Sequence, residues 1–223
     1  MEITWYGHAC FELKNNAATI VTDPYDNSLG LAPPTLHADI VSVSHNNPRH
    51  NAVNQVQGNY SVLDSPGEYE IKEVFITSYA LYPPKADAAT ALADRNIIFF
   101  YEMDNLTVCH LGDISHVPTQ SQVEAVDQVD ILLIPVGNGR SLNATQASEV
   151  IGIIEPAIVI PMHYALPGMA ISLDPLEKFL KEMGLAQIEA QPKLRITANN
   201  LPPETQTVIL TAKNQGSLGD SAL

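Results

Sequence analysis

Basic side chains are scarce. Seven lysines and four arginines stand against 25 acidic residues, for a formal net charge of −14 in 223 residues. The eleven cations do not cluster, which argues against a nucleic-acid backbone as partner. An anionic small molecule would need local cations to overcome the field of the whole chain. Long hydrophobic runs are also missing. None approaches the ~20 residues of a membrane span, although 45% of the residues are hydrophobic. Met1–Trp5 has no basic stretch leading into an apolar one, so no signal peptide is expected. Only two cysteines occur, Cys10 and Cys109, both in apolar strand-like runs. They read as reduced core residues of a cytoplasmic protein. A small or neutral ligand fits what is left, and the oligomeric state stays open.

What is present changes rhythm along the chain. Segments 3–6, 10–13 and 19–22 read as short strands, with Asn15-Asn16 as a turn and Asp23-Pro24 as a stop. Segment 38–44 is an apolar strand running into a polar loop, with Asn51 placed to cap a short segment after it. Strands follow at 61–64, ended by Ser65-Pro66-Gly67, and at 74–79, before a Pro/Ala-rich loop over 82–94. Segments 97–101 and 106–110 form a hairpin around Asp104-Asn105.

In the second half, helices opening at Thr119, Asn143 and Asp174-Pro175 alternate with apolar strands at 131–136 and 157–161. Strands from Leu194 and Thr207 close the pattern, and 214–223 reads as a flexible Gly/Ser-rich tail. The expectation is one α/β (α+β) domain over 1–213, with two sheets packed face to face and helices outside.

Four polar residues sit where buried strands end. His45 and His50 follow the strand 38–44, Asp113 follows 106–110, and His163 follows 157–161. Strand ends on one sheet edge converge, and ligand sites form there. Three imidazoles and a carboxylate suit zinc, and also iron or manganese. Each residue alone is more often a hydrogen-bonded loop side chain. His8 reads as a satisfied structural histidine more readily than as one that supports a ligand from behind, His110 reads as a buried hydrogen-bonded one, and Asp23 as a brace for the histidine loop. Gly137-Asn138-Gly139-Arg140 resembles a phosphate-cradling loop only faintly, and Arg140 sits where it could contact a substrate anion.

Trp5-Tyr6-Gly7-His8-Ala9-Cys10-Phe11, Thr22-Asp23-Pro24-Tyr25, the His45–His50 loop, Pro66-Gly67-Glu68, His110-Leu111-Gly112-Asp113 and Ile160-Pro161-Met162-His163-Tyr164 together resemble the metallo-β-lactamase-fold superfamily. The nearest likeness is to its lactonase-like branch of small bacterial and archaeal metal-dependent hydrolases. The resemblance implies a four-layer αββα sandwich with the site at one edge of the sheets. It also implies metal ligands at His45, His50, Asp113 and His163.

The sequence departs from the family pattern His-x-His-x-Asp-His, which reads His45-Asn46-Asn47-Pro48-Arg49-His50 here. A further family histidine, after the strand 74–79, is matched only by Tyr82-Pro83-Pro84. Arg49 reverses a charge. A guanidinium about 4 Å from a divalent ion would repel it by roughly 8 kcal/mol at an effective dielectric of about 20. A two-metal site is therefore not expected. Two readings stay open. One is a hydrolase of a small ester, lactone or phosphoester, with one metal on His50, Asp113 and His163. Asp113, His45, Asn47 and Arg49 then shape the reaction. The other is a metal-free, non-catalytic relative that binds a small anion where Arg49 pairs with Asp113.

Overall fold

Short segments that alternate apolar and polar side chains bury one face each, so they gather edge to edge before they can make a core. The computed structural model describes residues 1–83, 95–119, 122 and 128–213. Its first half holds β1 (Glu2–Trp5), β2 (Phe11–Lys14), β3 (Thr19–Thr22), β4 (Leu36–His37), β5 (Ile40–Ser42), β6 (Val56–Gln57) and β7 (Ser61–Leu63). Next come β8 (Gly67–Ile71), β9 (Val74–Leu81), β10 (Asn96–Met103), β11 (Leu106–His110) and β12 (Ile131–Pro135). Helix α1 (Ala144–Ile154), β13 (Ile158–Met162), helix α2 (Leu176–Glu182), β14 (Leu194–Arg195) and β15 (Gln206–Thr207) complete the chain.

Two sheets result. One has the order β14-β1-β2-β3-β5-β7, the other β15-β13-β12-β11-β10-β9-β8. Within each, antiparallel pairing gives way to parallel pairing: β3, β5 and β7 run parallel, as do β11, β12, β13 and β15. The two sheets share one core, in which Ile3, Trp5, Phe11, Leu13, Ile20 and Ile40 meet the apolar strands β10 to β13. The alternate residues Val21 and Val41 point the other way, into a second cluster with Tyr25, Leu29, Leu36 and Val56. The four-layer αββα sandwich is therefore asymmetric among the described residues. Helices α1 and α2 bury Ala147, Val150, Ile151, Phe179 and Leu180. The first sheet's outer face is covered by 3-10 turns and the β4–β6 ribbon.

The β10–β11 hairpin turns on Asp104 and Asn105, both left-handed (φ 56° and 58°), as its two-residue loop requires. Asn143 and Gln146 form a reciprocal capping box on α1. Cys10 and Cys109 are free and buried. No helix among the described residues is long and apolar enough to cross a membrane.

Three expectations need correction. Asn51 caps nothing: its amide donates to Asn46 Oδ1, and the short 3-10 turn Val53–Gln55 starts behind Ala52 without a side-chain cap. Helix α2 starts one residue later than expected, with Pro175 as its uncapped N-cap residue. The strand after 61–64 is not the one at 74 but the edge strand Gly67–Ile71, which begins at the expected stop, and its exposed Glu68 and Glu70 obscure the pattern. The body of the helix expected after Thr119, most of the 82–94 loop and the 214–223 tail lie outside the described residues.

Candidate functional site

The parallel strands explain why the polar residues meet. Asp23 follows β3, the 45–50 loop follows β5, Asp113 follows β11, Gly137–Ser141 follows β12, and His163 follows β13. These are C-terminal ends of parallel strands, where the crossovers leave a crevice. β1 points the same way as β3, because two antiparallel pairings separate them. His8, just beyond β1, therefore arrives at the same edge.

Short-range bonds hold the loops together. The His163 amide donates to the His8 carbonyl (3.0 Å), and so does the Trp5 indole (3.0 Å). Asn96 grips the Asp113 loop, accepting from the Asp113 amide (2.8 Å) and donating to the Leu111 carbonyl (2.9 Å). Asp23 takes the Ser44 amide (2.7 Å) and the His50 ring at Nδ1 (3.0 Å). Gly137 lets the last two loops touch, since a Cβ there would lie 2.0 Å from the His163 carbonyl oxygen. Three site residues adopt left-handed backbone: His8 (φ 53°), Asp23 (φ 39°) and His163 (φ 54°). Such conformations cost free energy in non-glycine residues and gather at functional sites.

The outcome is a buried cluster of His8, His50 and His163, whose donor atoms lie within 4.8 Å of one another. The His8 and His50 Nε2 atoms are 3.1 Å apart. His163 Nε2 lies 3.3 Å from Asp113 Oδ1, and His50 Nε2 lies 3.9 Å from Asp113 Oδ2. His8 Nδ1 and Asp113 Oδ1 are buried without a hydrogen-bond partner, so the 3.3 Å approach is close but out of line. His8 was expected to be a satisfied structural histidine, and its bare Nδ1 contradicts that.

Outward partners decide where the lone pairs point. Asp23 fixes the proton of His50 at Nδ1, which turns the Nε2 lone pair into the cavity. Ser141 donates to the Asn138 carbonyl (3.0 Å), so its oxygen is left to accept from His163 Nδ1 (3.2 Å). The His163 Nε2 lone pair then faces a carboxylate, an arrangement that calls for a cation between them. Burial pushes the pKa of His8 well down, helped by His163, His50 and Arg49, and burial also lowers that of His163. Burial pulls His50 the same way, but the bond and charge of Asp23 outweigh it, so His50 is raised. Asp23 is pushed up by burial, yet His50 and Ser44 hold it below its ordinary value. An ion about 2.0–2.1 Å from each nitrogen would separate neighbouring donors by about 3.3 Å. The 3.1 Å pair already meets that, so the donor set fits one metal ion.

His45 stands apart. Its Nδ1 is bonded to the Arg95 carbonyl (3.2 Å), and its ring lies at a right angle to His50 with centroids 5.9 Å apart. It lines the cavity without joining the cluster. Asn47 Oδ1 takes the Arg49 amide (3.0 Å). The expected Arg49–Asp113 pair is not formed, since Asp113 faces the two imidazoles and Arg49 Nε is buried without a partner. Together these residues line a cavity of about 190 Å³, closed by Gly139, Arg140, Ile171, Ser172 and Leu173. His110 is buried outside it and hydrogen-bonded at both nitrogens.

Residues 2–163 match the family described as the beta-lactamase superfamily domain. The chain is 26% identical to the UPF0173 protein of Pyrococcus abyssi over 75% of this chain and 85% of that one. It is 27% identical to the UPF0173 metal-dependent hydrolase of Thermoplasma acidophilum, over 74% and 83% of the two chains. Among solved structures, a candidate Zn-dependent hydrolase of the metallo-β-lactamase superfamily from Thermotoga maritima superposes with a TM-score of 0.77. It is 35% identical and matches over 94% of this chain and 97% of that one. With the sandwich, the sheet-edge site and these matches agreeing, the chain belongs to the metallo-β-lactamase superfamily.

Proposed function

We propose that the chain is a metal-dependent hydrolase of a small ester, lactone or phosphoester, with one divalent ion held by His8, His50, His163 and Asp113. The observation that carries this reading is the trio of buried imidazoles, two of them braced from outside so that their lone pairs face inward beside Asp113. The relatives named as metal-dependent hydrolases support it. Zinc suits this donor set best, with iron or manganese next. The free cysteines fit a cytoplasmic setting.

When bound, such an ion supplies Lewis acidity toward a carbonyl or phosphoryl oxygen and toward water. The chain's own residues do the rest. Asp23 and Ser141 hold the His50 and His163 rings in orientation. Asp113 Oδ1, buried and without a donor, would face the ion, and Asp113 Oδ2, 3.9 Å from His50 Nε2, is placed to accept a proton from water. His45 and Asn47 shape the cavity wall against which the substrate is placed, and Ile171 and Leu173 exclude bulk water.

Elemental mass spectrometry on protein purified without chelator tests the reading. The native chain is expected to carry about one ion, and His163→Ala to lose it along with hydrolysis of a lactone and phosphoester panel. A native chain without metal, combined with uptake in Arg49→Asp, would sink the proposal. It would leave the metal-free anion binder in its place.

A further inference from the structure

We infer that the substrate carries an anionic group, a carboxylate or a phosphate, and that Arg49 seats it beside the His8–His50–His163 cluster. This deepens the hydrolase reading and rests on it for the word substrate, while the anion seat itself does not require the metal.

The chain has four arginines, and two of them, Arg49 and Arg140, line the one small cavity that holds the histidine cluster. That placement runs against the grain of a chain with a net charge of −14. With 25 acidic residues available, a half-buried guanidinium whose Nε is shut off from solvent would ordinarily find a carboxylate. Among the described residues none forms an ion pair with Arg49, and its Nε is buried with no acceptor. The neighbouring carboxylates are engaged elsewhere. Asp113 faces His163 and His50, Asp23 faces His50 and Ser44, and Asp26, which feels the Arg49 charge without pairing with it, accepts the Ser28 amide at the surface.

The position of Arg49 is built. Its own amide donates to Asn47 Oδ1 (3.0 Å), the His50 amide donates to the Asn47 carbonyl (2.7 Å), and the Asp26 amide holds the Pro48 carbonyl (3.2 Å). The loop therefore holds a charged donor over the cavity and leaves the acceptor to be supplied from outside. A buried donor nitrogen without an acceptor is costly, and a ligand oxyanion removes that cost. The planar guanidinium fork matches carboxylate and phosphate oxygens. The volume of about 190 Å³ lies below the ~300 Å³ where drug-sized ligands begin. Ile171 and Leu173 leave room beside the anion for a short apolar portion.

Isothermal titration of the full chain with inorganic phosphate, with acetate and with uncharged acetamide tests this. Native protein is used both as purified and after chelation. Phosphate or acetate is expected to bind both forms. The preferred anion tells a phosphate-bearing substrate from a carboxylate-bearing one, and acetamide is expected not to bind. Arg49→Gln should weaken binding by at least about tenfold and Arg140→Gln by less. Arg49→Lys, which keeps the charge and loses the fork, stands in should Arg49→Gln not fold, and a smaller loss is expected. Unchanged phosphate binding in the folded Arg49 variant would overturn the inference. Equal binding of acetamide, or loss of all anion binding on chelation alone, would do the same. A metal-free native chain that still binds phosphate through Arg49 would keep the anion seat while sinking the hydrolase reading.

Discussion

At Nε2 His110 donates to the Ala9 carbonyl (2.9 Å), and at Nδ1 it accepts from the Gly112 amide (3.1 Å). The neutral ring is complete as it stands, and a second proton would set two N–H groups head to head. Burial lowers its pKa accordingly. A lowered folded pKa means that the stabilising contribution is present above the ordinary value of about 6.5 and is lost as the pH falls toward the folded one. Urea unfolding at about pH 7.5 and 5.5 should therefore show native protein losing stability on acidification. His110→Gln is expected to lose less, and an unchanged slope would refute the assignment. His50, Asp113 and His163 were legible because each follows an apolar strand. His8 follows one too, but its strand is short and the direction of β1 relative to β3 is a fact of pairing, which spacing does not encode. Ser141 was illegible for a similar reason. Its value lies in a bond across 22 residues to His163.

Helix α1 shows the reverse case, an element whose start is written locally. The Gln146 amide donates to Asn143 Oδ1 (2.9 Å), and the Asn143 amide donates to Gln146 Oε1 (3.1 Å). Asn143→Ala removes one half of that exchange. It should cost about 1 kcal/mol, read as a lower urea midpoint at unchanged slope. A loss no larger than that of an exposed substitution elsewhere on α1 would show that the cap is idle. Strands buried on both faces, such as β12 and β13, announce themselves as continuous apolar runs. The ribbon of β4 and β6 does not, because two-residue strands carry no period.

Across the whole molecule, carboxylates outnumber cations by more than two to one. Several cations are spent on surface pairs, Lys72 with Asp39, Lys178 with Asp174, and Lys193 and Arg195 with Glu2. Exposed pairs contribute little, whereas self-repulsion acts on the whole compact state. Raising sodium chloride from about 0.01 to 0.1 M shortens the screening length from about 30 to 10 Å. The urea midpoint should rise, and a fall would mean that the pairs outweigh the repulsion. The bond from the His163 amide to the His8 carbonyl joins opposite reaches of the chain, and biosynthesis gives it a further meaning. Residues 9–163 take roughly 8–30 s to synthesise at about 5–20 residues per second. From the time His50 has been made, a nascent chain carries His8, His45 and His50 without the strand that closes their seam, until β13 is synthesised. The finished pocket is thus a late product, and any ion or anion that prefers it is captured only by chains whose translation has passed β13.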